Sequence, residues 1–75
     1  MNNFVGFTIC AETRSNEILF FNEGYVFSKN ATTLYTSKEV EEVRKYLLKN
    51  GFDKHPYPYN IEKWGTVEIF INKCF

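Results

Sequence analysis

Seventy-five residues make one domain, residues 1–75, and a chain this short buries only about 60% of the surface its unfolded form exposes. Core material is nonetheless plentiful, with 44% of residues hydrophobic and 19% aromatic. Nine basic residues balance nine acidic ones, with no basic stripe for a duplex backbone and no acidic run that would imitate one. No stretch approaches the roughly 18 apolar residues of a membrane span, and the opening lacks a basic-then-apolar leader. The expectation is a cytoplasmic protein with no membrane contact, in which the sequon Asn30-Ala31-Thr32 is a chance match.

In chain order, Phe4 to Ala11 reads as a first strand, with Val5, Phe7 and Ile9 on one face and Phe4, Gly6, Thr8 and Cys10 on the other. Glu12 to Asn16 is a polar connection of hairpin length. A second strand runs from Glu17 to Asn22, apolar at its four central residues without alternation. The turn Asn22-Glu23-Gly24, with a positive φ expected at the glycine, leads to a third strand over Tyr25 to Ser28.

The clearest element is a helix over Thr36 to Gly51. Thr36 and Glu39 fit a capping box, with Ser37 as a rival cap one residue later. Val40, Val43 and Leu47 recur at helical spacing, and Tyr46 and Leu48 widen the stripe into a face for packing on a sheet. Acids gather at the start and bases at the end, as the helix dipole favours. Gly51 offers a left-handed stop, with Phe52 placed to fold back on the last turn.

Beyond it, Asp53 to Asn60 alternates two prolines with two tyrosines, which forbids a central strand. Ile61 to Gly65 reads either as a turn or as the start of the last strand. Thr66 to Ile71 alternates cleanly, with Val67, Ile69 and Ile71 on one face and Glu68 and Phe70 on the other. The order β-β-β-α-β predicts a two-layer α+β domain, a mostly antiparallel four-stranded sheet with the helix on one face. The expected core is Val5, Phe7, Ile9, Val40, Val43, Leu47, Val67 and Ile69, joined by Leu19 and Tyr46.

Catalytic chemistry finds little support. The lone histidine, His55, sits before a proline in a loop, and no serine or cysteine stands in a nucleophile elbow. Glu39, Glu41 and Glu42 read as cap and solvated face. Cys10 and Cys74 are too few for a metal knuckle and read as reduced thiols, or as a bridge if the first and last strands meet. No catalytic residue, metal site or cofactor is expected, and the chain reads as no enzyme.

One helix covers one face of a sheet, yet strands one to three carry large apolar residues on both. The second face should therefore present an apolar patch, which monomers seldom leave in water. A second copy, a partner protein or the proline–tyrosine loop could cover it. Phe20, Tyr25, Phe27 and Phe70 on the strands, with Tyr57, Tyr59 and Trp64 near the loop, are the candidate partner-binding residues. Alternatively Tyr57, Tyr59 and Trp64 with His55 line a pocket for a flat small molecule such as a nucleotide. Single-stranded nucleic acid ranks third, because the strands interleave almost no Lys or Arg with their aromatics.

The run FNEGYVFSKNATTLYTSKEVEEVRKYLLKNGF, residues 21–52, resembles small accessory proteins of bacteriophages and mobile elements of low-GC bacteria. In these a β-hairpin leads into a helix start like LYTSKE and a last strand follows. The bias toward Asn, Lys, Phe, Tyr and Ile, with little Ala and no Gln, suits such genomes. Some of these proteins bind and inhibit a host enzyme or a defence system, anti-CRISPR proteins among them. The resemblance thus implies a cytoplasmic protein that binds and inhibits a host or defence protein; the two-faced apolar strands point to steric occlusion by the aromatic sheet face or by the 53–64 loop, with no chemistry, and to a homodimer as one form.

Overall fold

The computed structural model describes the backbone of residues 2–72 and the side chains of residues 4–69. The elements are β1 (Asn2–Thr13), β2 (Ile18–Asn22), β3 (Val26–Ser28), α1 (Ser37–Leu47), a wide helical turn over Leu48–Phe52, and β4 (Ile61–Asn72). The strands form one antiparallel sheet in the order β3-β2-β1-β4. With α1 on one face, this is the two-layer α+β arrangement that the element order predicts. The stretch Ile61–Gly65 is the first part of β4, so the last strand runs 12 residues and pairs with β1 almost throughout.

Register decides which side chains face the helix, because residues paired across two strands share a face. Ile9 pairs with Phe21 on one side and Thr66 on the other, and Ala11 pairs with Leu19 and Trp64. These positions form the floor under α1. The buried core is Ile9, Ala11, Phe21, Tyr35, Val40, Val43, Leu47, Phe52 and Ile61, with Phe7, Leu19, Phe27, Tyr57 and Trp64 packed against it.

Four expected core residues lie elsewhere. The register shifts between Phe4, which pairs with Phe70, and Gly6, which pairs with Ile69, so Val5 is an extra bulge residue and stays 40% exposed. Val67 pairs with Thr8 and Ile69 with Gly6, which turns both onto the second face, where Val67 is 46% exposed. Alternation in the last strand identifies two faces without saying which one meets the helix. Tyr46 is 39% exposed, at the margin of the helix stripe rather than under it.

The helix forms as its sequence dictates. The Glu39 amide donates to Thr36 Oγ1 at 3.2 Å and the Thr36 amide donates to Glu39 Oε1 at 2.9 Å, closing the capping box and settling the boundary against Ser37. Regular α geometry ends at Leu47, four residues before the expected stop. The chain then widens, and Gly51 takes φ +99° before Phe52 turns back into the core, 2% exposed.

The second face is covered at one end, by a segment that the sequence did not single out for this. Asn22, buried there, donates from Nδ2 to the Asn30 carbonyl at 2.7 Å and accepts from the Thr32 amide at 3.0 Å. Residues 30–32 thus fold over the end marked by Asn22, and Thr8 on the same face is buried as well. The proline–tyrosine loop lies on the helix side instead, with Tyr57 stacked on Phe52 at 5.7 Å. Ile18 and Val67, with half-buried Phe20 and Cys10, remain on the open part of the second face.

Tyr35 closes the gap beyond the end of β2. Its amide donates to the Phe7 carbonyl at 2.7 Å, and the Phe7 amide donates to the Tyr35 carbonyl at 2.8 Å. Gly6 permits this approach, since a Cβ there would stand 3.0 Å from the Tyr35 oxygen and 3.3 Å from Leu34 Cβ. Gly6→Ala is therefore expected to destabilise the fold by about 1–3 kcal/mol, through steric overpacking. Urea denaturation checks this, and an unchanged midpoint would show that the contact is looser than described.

Candidate functional site

Between β3, the end of α1 and the loop lies a groove of about 360 Å³, lined chiefly by Phe21, Tyr25, Phe27, Tyr46, Leu47, Asn50, Phe52 and Tyr59. The hydrophobic floor comes from the core itself: Phe21 and Phe27 lie 4.7 Å apart between ring centroids, and Phe27 and Phe52 lie 5.9 Å apart. Tyr25 and Tyr46 meet at 4.3 Å and form one wall, with Phe21 behind each of them. The Asn50 amide nitrogen donates to the Tyr46 carbonyl at 2.7 Å, which fixes the side chain and leaves its oxygen as an acceptor.

Two of the lip residues hold unusual backbone conformations. Tyr25 follows Gly24 out of the hairpin turn, its amide donating to the Asn22 carbonyl, and both residues have positive φ, +59° and +86°. Tyr59 and Asn60 are likewise left-handed, at +59° and +65°, within a turn closed by the Ile61 amide on the Pro58 carbonyl. Glycine and asparagine tolerate this region. A tyrosine there is an outlier.

A second hollow of about 300 Å³ adjoins the groove and shares Tyr25 with it. Glu23, Glu39 and Glu42 line it, together with Thr33 and Tyr35. Glu39 is held below the usual carboxylate range, first by the hydrogen bond from the Thr36 backbone and then by the one with its side chain. Tyr35, whose hydroxyl donates to the Phe21 carbonyl at 3.0 Å, is pushed up, mainly by burial.

The sequence candidates are not gathered in one place. Tyr25, Phe27 and Tyr59 line the groove. Phe20 lies on the second face, and the Phe70 side chain lies outside the described residues. Tyr57 and Trp64 flank Phe52, each at 5.7 Å, and the Trp64 indole nitrogen donates to the Phe52 carbonyl at 3.2 Å. They anchor the loop to the core. Arg44 lies over the Trp64 ring at 5.8 Å. Tyr57, Tyr59, Trp64 and His55 therefore do not converge on a common pocket. Tyr46 and Asn50 are the site residues that sequence reasoning missed. Their only signal is helical spacing, four residues apart at the margin of the apolar stripe.

Groups able to do chemistry are scattered. His55 Nε2 lies 3.3 Å from Glu62 Oε2, with Arg14 Nε at 4.0 Å from the same oxygen, all about half exposed. Such a surface cluster fastens the loop to the β1–β2 turn and contributes at most about 1 kcal/mol. Burial pushes the Cys10 thiol up, which makes it a poor nucleophile; Cys74 lies outside the described residues. Among the described residues no three His, Cys, Asp or Glu side chains are grouped to hold a metal ion. No helix among them is long and apolar enough to cross a membrane. Comparison with protein families, curated proteins and solved structures gives no match for this chain.

The Glu39 carboxylate yields a pH prediction. Its folded pKa lies below its unfolded one, so between the two the unfolded chain binds more protons and stability rises with pH. The contribution is present above the ordinary value of 4.5 and is lost as pH falls through the folded value. Thermal unfolding from pH 6 down to about 2.5 should show a shallower acid-side fall for Glu39→Gln than for the parent. Parallel acid limbs would remove Glu39 from the linkage.

Proposed function

We propose that this chain is a non-catalytic protein-binding module that seats a partner segment in the groove between β3, α1 and Tyr59. It acts by occupying the partner's surface, as a steric inhibitor does, the role that the resemblance to phage accessory proteins implies. The observation that carries this reading is the pair of left-handed tyrosines. Each occupies a backbone conformation that costs a non-glycine residue on the order of 1 kcal/mol. Tyr59 is 76% exposed, so burial within the chain repays little of it there, whereas Tyr25, 47% exposed, recovers part of it against Phe21 and Tyr46. Both rings stand at the lip of the same groove. Tyrosine presents a large, rigid, amphipathic surface with few rotatable bonds, the composition of interface hot spots.

A second reading has its own support in the groove's volume. About 360 Å³ lies within the range of small-molecule sites, and the stacked rings suit a planar ligand.

Replacing Tyr59 with asparagine separates folding from binding. Asparagine suits the left-handed backbone, so the variant should be as stable as the parent or more stable by up to about 1 kcal/mol. Peptides selected on the parent from a random display library should lose most of their affinity for Tyr59→Asn. Undiminished binding, or a selection that enriches nothing, would overturn the groove as a protein-binding site. Planar fragments that bind there while peptides fail would favour the second reading.

A further inference from the structure

We infer that the segment taken by the groove is basic, and that an arginine side chain is the group it seats against the tyrosine rings. The inference rests on the groove being the binding site and names the chemistry of its occupant.

The balanced sum of charges conceals a segregation in space. Glu39, Glu42 and Tyr46 follow one another at helical spacing along one flank of α1, and Asn50, in the wide turn that follows, bonds back to the Tyr46 carbonyl. The groove and the acidic hollow, which meet at Tyr25, include no Lys or Arg among the residues that line them. Arg44 and Lys45 line a separate hollow with Phe7, on the other flank of the helix. An elongated partner segment lying across Tyr25 would thus pass from ring faces to carboxylates without meeting a cation.

The polar groups in the groove can all accept hydrogen bonds. Asn50 directs one N–H to the Tyr46 carbonyl, which orients its side chain and leaves its oxygen as an acceptor, and the tyrosine hydroxyls can accept as well. Ring faces carry partial negative charge and attract a cation laid over them. Arginine suits this better than lysine: its planar guanidinium stacks on aromatic faces, sheds water more readily and offers five donors in the plane of the group. A phosphate or an acidic segment would meet three carboxylates and, among the residues that line the two hollows, no compensating base, so the same surface disfavours the nucleic-acid alternative.

The test uses the capped peptide Gly-Arg-Ala-Arg-Gly and its citrulline counterpart, which keeps the shape and most donors but carries no charge. In 15N-resolved NMR titrations of the full chain, the arginine peptide should shift Tyr25, Tyr46, Asn50 and Tyr59. Its affinity should exceed that of the citrulline peptide by about fivefold, the scale of an exposed cation–π contact. The excess should shrink with added salt and in the double variant Glu23→Gln, Glu42→Gln, which leaves the capping carboxylate of Glu39 in place. Equal affinity of both peptides at the groove would overturn the arginine inference while sparing the binding site. Shifts that avoid the groove would overturn the inference too. If display selection on the parent also enriches nothing, the site itself falls.

Discussion

The helix side of this protein depends on how Tyr35 is fastened. Where β2 ends, β1 would be left with an open edge beside Phe7; the Tyr35 backbone fills it with two short hydrogen bonds. The Tyr35 hydroxyl closes the arrangement from the side-chain end by donating to the Phe21 carbonyl. The next residue, Thr36, is the helix cap. The start of α1 is thereby tied to the central strand, and the helix is laid across Ile9, Ala11 and Phe21 instead of the other face. Gly6 makes room for the attachment.

From that anchor the groove follows. Eleven residues of α1 reach as far as Leu47, and the wide turn after it swings Phe52 into the core. Phe52 then holds three aromatic neighbours: Phe27 from the sheet, Tyr57 from the loop and Trp64 from β4. The loop is pinned through Tyr57 and Trp64, which leaves Tyr59, in the turn that follows, exposed at the groove. Strain sits at the two tyrosines on the rim, and the packed interior beneath them supplies a rigid floor.

Much of the architecture was legible in the sequence. Thr36 with Glu39, the stripe Val40, Val43 and Leu47, and Gly51 before Phe52 each encode a local event, and local events can be read one residue at a time. The two-faced apolar strands also carried real information: Phe21 faces the helix and Ile18 is left exposed. Register was not legible. The bulge at Val5 and the shift between Glu12 and Thr13 are set by how β1 and β4 meet from opposite ends of the chain, and strand periodicity says nothing about that meeting. Val67 was misplaced for this reason. The cover over the second face was hidden too, because it rests on Asn22 bonding to the backbone of residues 30 and 32. Of the site, the tyrosine content was visible, but not the left-handed conformations of Tyr25 and Tyr59 that place the rings at one lip.

Native-state hydrogen exchange at the Tyr35 amide tests the anchoring of the helix most directly. If the bond to the Phe7 carbonyl fixes where α1 lies, this amide should open only with global unfolding, with the same free energy as the amides of β1. Exchange as fast as that of Ala31 and Thr33 would contradict it, and would mean that side-chain packing alone positions the helix.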